Sequence, residues 1–237
     1  MAKHGKRYRG SAELVDKTKS YGLTEAVALV KQAASTKFDE TVEMHLRTGA
    51  DTRHADQSIR GVVILPHGLG KTVKVLVFAQ GDAARAAQEA GADYVGDDDL
   101  IKRIEGGWVE FDTALATQEM MSKVGRLGRV LGRRGLMPNP RTGTVVQPQN
   151  IARAVDEARQ GRVEVRMDRT AIIHTPVGKV SFDEQALVEN VASVVAMVVR
   201  ARPASIKGQF IRSAYLCSTM GPSIEMDVSS LMAVRAE

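Results

Sequence analysis

The sequence predicts an α+β discontinuous domain assembled from both ends of the chain, with an inserted three-layer α/β domain built on a parallel, Rossmann-like sheet. Three observations carry this. Segments near both ends alternate apolar and polar residues at period two, as strands with one solvated face do. The middle interleaves short, almost wholly apolar strands with helical segments, as a parallel sheet covered on both sides requires. Breaks at 68–71 and at Gly161 separate the two patterns. The expected boundaries are 1–67 with 160–237 for the outer domain and 68–159 for the insert. The two crossings would form a hinge, since insertions are tolerated where chain ends meet a surface.

The elements follow in order. Leu23, Ala26, Val27, Val30 and Ala34 recur at helical spacing, with Thr24 as expected N-cap. In Thr41-Val-Glu-Met-His-Leu-Arg-Thr48 the apolar residues are Val42, Met44 and Leu46, so a half-solvated strand is expected, with His45 on its polar face. A second strand over 58–65 leads into the turn-rich Pro66-His-Gly-Leu-Gly-Lys71. Residues 73–79 form an apolar strand, 82–90 a helix stopped by Gly91, and Tyr94 and Val95 a short strand. Asp97, Asp98 and Asp99 open a helix over 100–105, where acids suit the N-terminus, and a strand follows over 111–117. A helix over 150–160 ends at Gly161. Strands are then expected over 163–167 and 171–174 with a turn at Asp168-Arg169, a helix from Ser181-Phe-Asp-Glu to about Ala201, and strands over 210–217 and 224–228.

The chain has 237 residues, 43% hydrophobic and 26% charged, which excludes a disordered chain. Its net charge of +5 and pI near 9.4 suit a polyanionic partner. Residues 120–155 hold no acid but carry Lys123, Arg126, Arg129, Arg133, Arg134, Arg141 and Arg153, interleaved with glycines and closed by Pro138-Asn-Pro140. Arginine presents a planar fork that suits phosphate, and glycine lets backbone approach a partner. Nucleic acid is therefore the first partner to test, and a mobile solvated loop is the alternative. The basic start, with Lys3, Lys6, Arg7 and Arg9, has no apolar core behind it and no run reaches membrane length, so no membrane is expected. Aromatics at 4% argue against a base-stacking platform.

Catalytic and metal signatures are incomplete. His67-Gly-Leu-Gly-Lys-Thr72 resembles the end of a phosphate-binding P-loop, but Leu65 replaces the required glycine and a strand follows where a helix is needed. The histidines His4, His45, His54, His67 and His174 lack metal-ligand spacing, and Cys217 stands alone, so no metal, cofactor or disulfide is expected. Cys217 is expected in the core, in a protein suited to a reducing cytoplasm.

Several strings in order carry a resemblance: Lys37-Phe-Asp-Glu-Thr-Val-Glu43, Asp56-Gln57 with Arg60-Gly61, Leu65-Pro-His-Gly-Leu-Gly-Lys71, Ala90-Gly-Ala-Asp-Tyr-Val-Gly96, Gly135-Leu-Met-Pro-Asn-Pro140 and Ser218-Thr-Met-Gly-Pro-Ser223. From near Met1 to about Val228 the chain closely resembles the bacterial ribosomal protein L-one family of the large subunit. The resemblance implies a non-enzymatic cytoplasmic protein, monomeric when free, that binds large-subunit ribosomal RNA at the mobile stalk beside the exit site. It further implies help in releasing deacylated exit-site tRNA and repression of its own operon mRNA. Carried over, the RNA-contacting residues are Lys37, Phe38, Thr41, His174, Ser213, Thr219, Met220 and Gly221, with Arg126, Arg129, Arg133 and Arg134 as an auxiliary basic loop. Two departures stand out. Ala171 takes a position where the family often has glycine, and Gly132-Arg-Arg-Gly135 replaces Gly-Pro-Arg-Gly, which should loosen that loop. Residue type alone puts Phe38 and Met220 in the core. The rival functions are a nonspecific nucleic-acid-coating protein and a phosphate-dependent enzyme using the α/β insert. No role is expected for the tail Ser229 to Glu237.

Overall fold

The computed structural model describes residues 5–233; Lys3 and His4 of the basic start, and 234–237 of the tail, lie outside the described residues. Along the chain run α1 (Lys6–Glu13), α2 (Leu23–Ala33), β1 (Thr41–Thr48), β2 (Arg60–Ile64), β3 (Val75–Phe78), α3 (Gly81–Glu89), β4 (Tyr94–Gly96) and α4 (Asp98–Glu105). There follow β5 (Thr113–Thr117), α5 (Met121–Val124), α6 (Gly128–Leu131), β6 (Val145–Val146), α7 (Ile151–Arg159), β7 (Arg162–Arg166), β8 (Ile172–Lys179), α8 (Glu184–Arg200), β9 (Ile211–Ser218), β10 (Ile224–Met226) and α9 (Val228–Ala233). The chain divides into two compact units, Met1–Gly70 with Val163–Glu237, and Lys71–Arg162.

The first unit is built on an antiparallel sheet in the order β10-β9-β1-β8. Alternation in β1 turns Val42, Met44 and Leu46 inward, all fully buried. The helices α2 and α8 cover that face with Val27, Val30, Val191, Val194 and Val198. Each such side chain contributes about 1.5–3 kcal/mol by leaving water. The short sheet β2-β7 packs beside α8. Thr24 does not cap α2. Gly22 holds that place, because Tyr21 is pinned to β10 through its N–H to Glu225 O at 2.9 Å, which fixes where the helix begins. The strand β8 continues past the expected end at His174 to Lys179, with a bulge opposite Val42/Glu43. After β10 a helix opens at Val228, its first turn held by the Asp227 carboxylate, which accepts from Ser229 N and Ser230 N.

The P-loop-like string belongs to a structural turn. Asn190, fully buried, accepts from His67 N at 3.1 Å and donates to Gly68 O and Val177 O. Gly70 adopts φ 67°, and a Cβ there would meet the Phe182 ring at 2.7 Å. A strand follows this turn in the chain, where a P-loop would lead into a helix.

The second unit holds a parallel sheet in the order β4-β3-β5-β6. Period-two alternation sends Leu76, Phe78, Ala114 and Ala116 to one face under α4, α5 and α6, and Val75, Val77 and Leu115 to the other under α3 and α7. The sheet is therefore the middle of three layers. The glycine-arginine run is not a free loop. Here α5, a 3-10 turn over Gly125–Leu127, α6 and a 3-10 turn over Gly132–Arg134 join end to end as one helical stretch. Val124, Leu127 and Leu131, spaced at helical intervals, are fully buried and anchor it. The Gly132-Arg-Arg-Gly135 departure therefore sits in an ordered turn, where Arg133 Nε donates to Arg129 O at 3.2 Å. Among the described residues no helix is long and apolar enough to cross a membrane.

Candidate nucleic-acid interface

Among the described residues no helix covers the outer face of the first unit's sheet. Register aligns its residues in rows: Lys179, Thr41 and the turn after β9; then Pro176, Glu43, Cys217; then His174, His45, Tyr215, Glu225; then Ile172, Arg47, Ser213. These side chains are half-buried or exposed, with His174 and Arg47 the most open.

At one end of this face two turns are locked together. Thr41 N donates to Thr219 Oγ1 at 3.0 Å, and Thr219 N donates to Thr41 O at 3.0 Å. Glu40, only 2% exposed, accepts from Met220 N at 2.9 Å and from Thr36 N at 3.2 Å. Burial works to raise the Glu40 pKa, but hydrogen bonds, that from Met220 N first among them, outweigh it and hold the carboxyl below its ordinary value. Asp39 is fixed in turn by Ser181 N and Oγ at 3.1 and 2.8 Å, and Lys179 Nζ donates to Thr41 Oγ1 at 2.8 Å. With the two turns fixed by these bonds, Phe38 and Met220 are left facing solvent, 56% and 53% exposed. Lys37 is exposed beside Phe38. Gly221 permits the second turn, since a Cβ there would lie 2.4 Å from Ser218 Oγ.

Along the face, His45 and His174 pair. Their Nδ1 atoms are 2.8 Å apart and their rings meet edge to face at 4.9 Å. Burial, then the neighbouring His174, lower the His45 pKa, while Glu43 opposes them. Cys217 is not a core residue. Leu216 and Ser218 take the inward register, which leaves Cys217 half-buried on the outer face with its sulfur 3.1 Å from His45 Nε2. Burial and then Glu43 push its pKa up to about 11, so at neutral pH it is a protonated thiol and a poor nucleophile.

The structure thus gathers Lys37, Phe38, Thr41, Thr219, Met220 and Gly221 at one end of the face. His174 lies in the middle. Ser213 sits opposite Arg47, six residues along β9 from Thr219 and so roughly 20 Å away. Arg126, Arg129, Arg133 and Arg134 lie in the second unit, all exposed on the helical stretch. Adding a Cβ at Gly125, Gly128 or Gly132 meets nothing within 4 Å, so the backbone beside those arginines is open to a partner. Sequence reasoning does not single out Glu40 and Lys179. Glu40 shares the parity of Val42, Met44 and Leu46, and an acid in the inward register is the signal that would have found it.

The profile described as the ribosomal protein L1p/L10e family matches residues 30–222. The chain is 54% identical over 234 residues to the large ribosomal subunit protein uL1 of Dehalococcoides mccartyi, across 99% of each chain. It is 55% identical over 231 residues to that of Thermomicrobium roseum, across 97% of this chain and 96% of that one. Against that of Chloroflexus aurantiacus it is 54% identical over 237 residues, the full length of both. With more than half of its length matched by the profile and full-length relatives above half identity, this chain belongs to the ribosomal protein L1p/L10e family.

Proposed function

We propose that this chain binds large-subunit ribosomal RNA at the mobile stalk beside the exit site, through the open sheet face of its first unit. It is a structural, non-enzymatic protein of the large ribosomal subunit, as the relatives' names support, and its place is the bacterial cytoplasm. The observation that carries the RNA reading is the exposure of Phe38 and Met220 on two turns that Glu40 ties together. A soluble surface gains nothing from holding two large apolar side chains rigidly in water. A partner that offers ribose and base faces does gain from them. Lys37 supplies attraction to phosphate, and Thr219 with the backbone around Gly221 can approach 2′-hydroxyls closely.

Two finer activities belong to the same reading. Repression of the chain's own operon mRNA needs only that a leader segment present the same RNA shape to this face. Assistance in releasing deacylated tRNA draws on the exposed arginines of the second unit, which suit phosphates without reading sequence. The free protein is a monomer in this reading.

A nonspecific coating protein would bind through those arginines alone. The test is competition between a stalk RNA fragment and an unrelated RNA duplex, for the full chain and for Met1–Gly70 joined to Val163–Glu237. The proposal expects the joined unit to keep most of the preference for stalk RNA. A folded joined unit that binds both RNAs alike would overturn it.

A further inference from the structure

The middle of the open face is electrically unlike its two ends. Lys179 stands in the row at one end and Arg47 in the row at the other. Between them lie the row of Pro176, Glu43 and Cys217 and the row of His174, His45, Tyr215 and Glu225. These two rows hold two carboxylates and, among the described residues, no lysine or arginine. A third carboxylate adjoins them: Asp168, in the turn before β8, has Oδ2 3.6 Å from His174 Nε2, while Glu43 Oε2 lies 4.0 Å from His45 Nε2. The histidine pair is therefore bracketed by acids, and imidazole is the one group in these rows that gains a positive charge near neutral pH. The pair accepts one added proton and not two. Nδ1 atoms 2.8 Å apart bond only when one carries a proton and the other a lone pair. One tautomer assignment satisfies every contact of the neutral pair. The Cys217 thiol donates to His45 Nε2 at 3.1 Å, His45 Nδ1–H donates to His174 Nδ1, and His174 Nε2–H faces Asp168. One added proton enters at His45 Nε2, beside Glu43, and the bond between the rings survives with the charge on either ring. A second would place an N–H on both Nδ1 atoms, so that two cations face each other and the bond is lost.

We infer that the pair of His45 and His174 links RNA binding to pH: RNA laid across the open face draws one proton onto the pair, and the imidazolium supplies the positive charge that the middle of the face otherwise lacks. The inference rests on the RNA reading above and adds regulation to it. A polyanion reaching from the Met220 turn to Arg47 passes over Glu43 and beside Glu225, and like charges so placed oppose it. Facing the pair are Glu43 and Arg47 from β1, Asp168 before β8, Tyr215 and Cys217 from β9 and Glu225 from β10. Three carboxylates against one arginine make this neighbourhood hospitable to a cation. In the free protein, burial and then His174 hold the His45 pKa below its ordinary value, so His45 is neutral at neutral pH before RNA arrives. Phosphates overhead favour the charged form and raise the titration of the pair in the complex. The sign follows by linkage. The gain in affinity is complete below the free protein's value and is lost as pH rises through the higher value of the complex. With one proton involved, affinity changes by at most about one decade per pH unit.

The experiment uses the full chain and the stalk RNA fragment at constant ionic strength. Isothermal titration calorimetry at neutral pH, in buffers of different ionisation enthalpy, counts the protons taken up on binding. Fluorescence titrations follow Kd across the range in which imidazoles titrate, about pH 5 to 8. Wild type should take up a measurable fraction of one proton, and its affinity should fall about three- to tenfold across that range. In H45Q/H174Q the uptake should vanish and the affinity should stay nearly flat with pH. Because that double variant could lose its fold, the unaltered chain is also followed by NMR: the imidazole Cε1–H signals of the pair should titrate at higher pH in the complex than in the free protein. A wild type that prefers stalk RNA but takes up no proton would overturn the inference and leave the proposed function standing. A folded double variant with undiminished uptake, or imidazole signals that titrate alike in free and bound protein, would do the same. A wild type with no preference for stalk RNA over an unrelated duplex would instead sink the function on which this inference rests.

Discussion

Truncating Phe38 or Met220 should separate binding from folding. In the free protein the two side chains are 56% and 53% exposed, so each leaves on the order of 100 Å² in water, taking aromatic and long side chains at 150–250 Å². Covering that area fully is worth about 2.5 kcal/mol at roughly 25 cal/mol per Å². Alanine keeps part of the contact, so the expected loss in binding is about 1–2 kcal/mol each, or roughly 5- to 30-fold in Kd. The fold should hardly notice, because surface substitutions away from caps and buried networks shift stability within about 0.5 kcal/mol. The assay pairs urea denaturation of Phe38→Ala and Met220→Ala with filter-binding or fluorescence titrations on stalk RNA. A drop of several kcal/mol in folding stability would show that either side chain acts as core. Unchanged Kd in both variants would show that the exposed apolar pair is not the contact surface.

Other perturbations test the supports of the site. Gly221→Ala places a methyl 2.4 Å from Ser218 Oγ and should cost about 1–3 kcal/mol of stability by overpacking; adding Ser218→Ala, which leaves the Ser218 Cβ at an ordinary 3.6 Å, should recover much of it in the same denaturation assay. Glu40→Gln should cost roughly 1–3 kcal/mol at neutral pH by weakening charge-assisted hydrogen bonds to Met220 N and Thr36 N. Because the folded pKa of Glu40 lies below its ordinary 4.5, that contribution is full above 4.5 and is lost as pH falls through the folded value. The wild-type and variant stability curves should therefore converge in acid, and a gap that persists to low pH would refute the role of the charge. Replacing Arg126, Arg129, Arg133 and Arg134 together with Gln should lower affinity for stalk RNA and duplex by similar factors and flatten the salt slope by about 0.7–0.9 per lost contact; selective loss on stalk RNA would show that this segment reads structure.

The sheet was legible wherever one periodicity ruled. Thr41–Thr48 shows period two without interruption, and β1 has the bounds that this alternation predicts. The strand β8 was only half legible, because Pro176 and Gly178 break the alternation just where the bulge sits. The helical stretch after Met120 was hidden by its glycines, which mask the spacing of Val124, Leu127 and Leu131. For the site, residue type pointed the wrong way. Phe38 and Met220 are core-type residues, and their exposure follows from the Glu40 link between two turns 180 positions apart in sequence, a contact that local patterns do not encode. Cys217 departs from its expected core position for a related reason. An apolar run such as Ala214-Tyr-Leu-Cys217 does not announce which of its two parities faces inward.

The glycines of the arginine-bearing helical stretch have a consequence for how unevenly stability is distributed through the molecule. Gly125, Gly128 and Gly132 each weaken a helix by about 1 kcal/mol relative to alanine, and their neighbours add repulsion among like charges. Opposing this are three buried side chains, Val124, Leu127 and Leu131. The segment is therefore close to balance on its own and depends on those three anchors. Its amides should exchange with solvent deuterium through local opening well before those of the buried strands β3 and β5 beneath them do. A polyanion lying along the arginines would remove the repulsion and slow that exchange, so protection at these amides reports occupancy of the segment without any change in the rest of the fold.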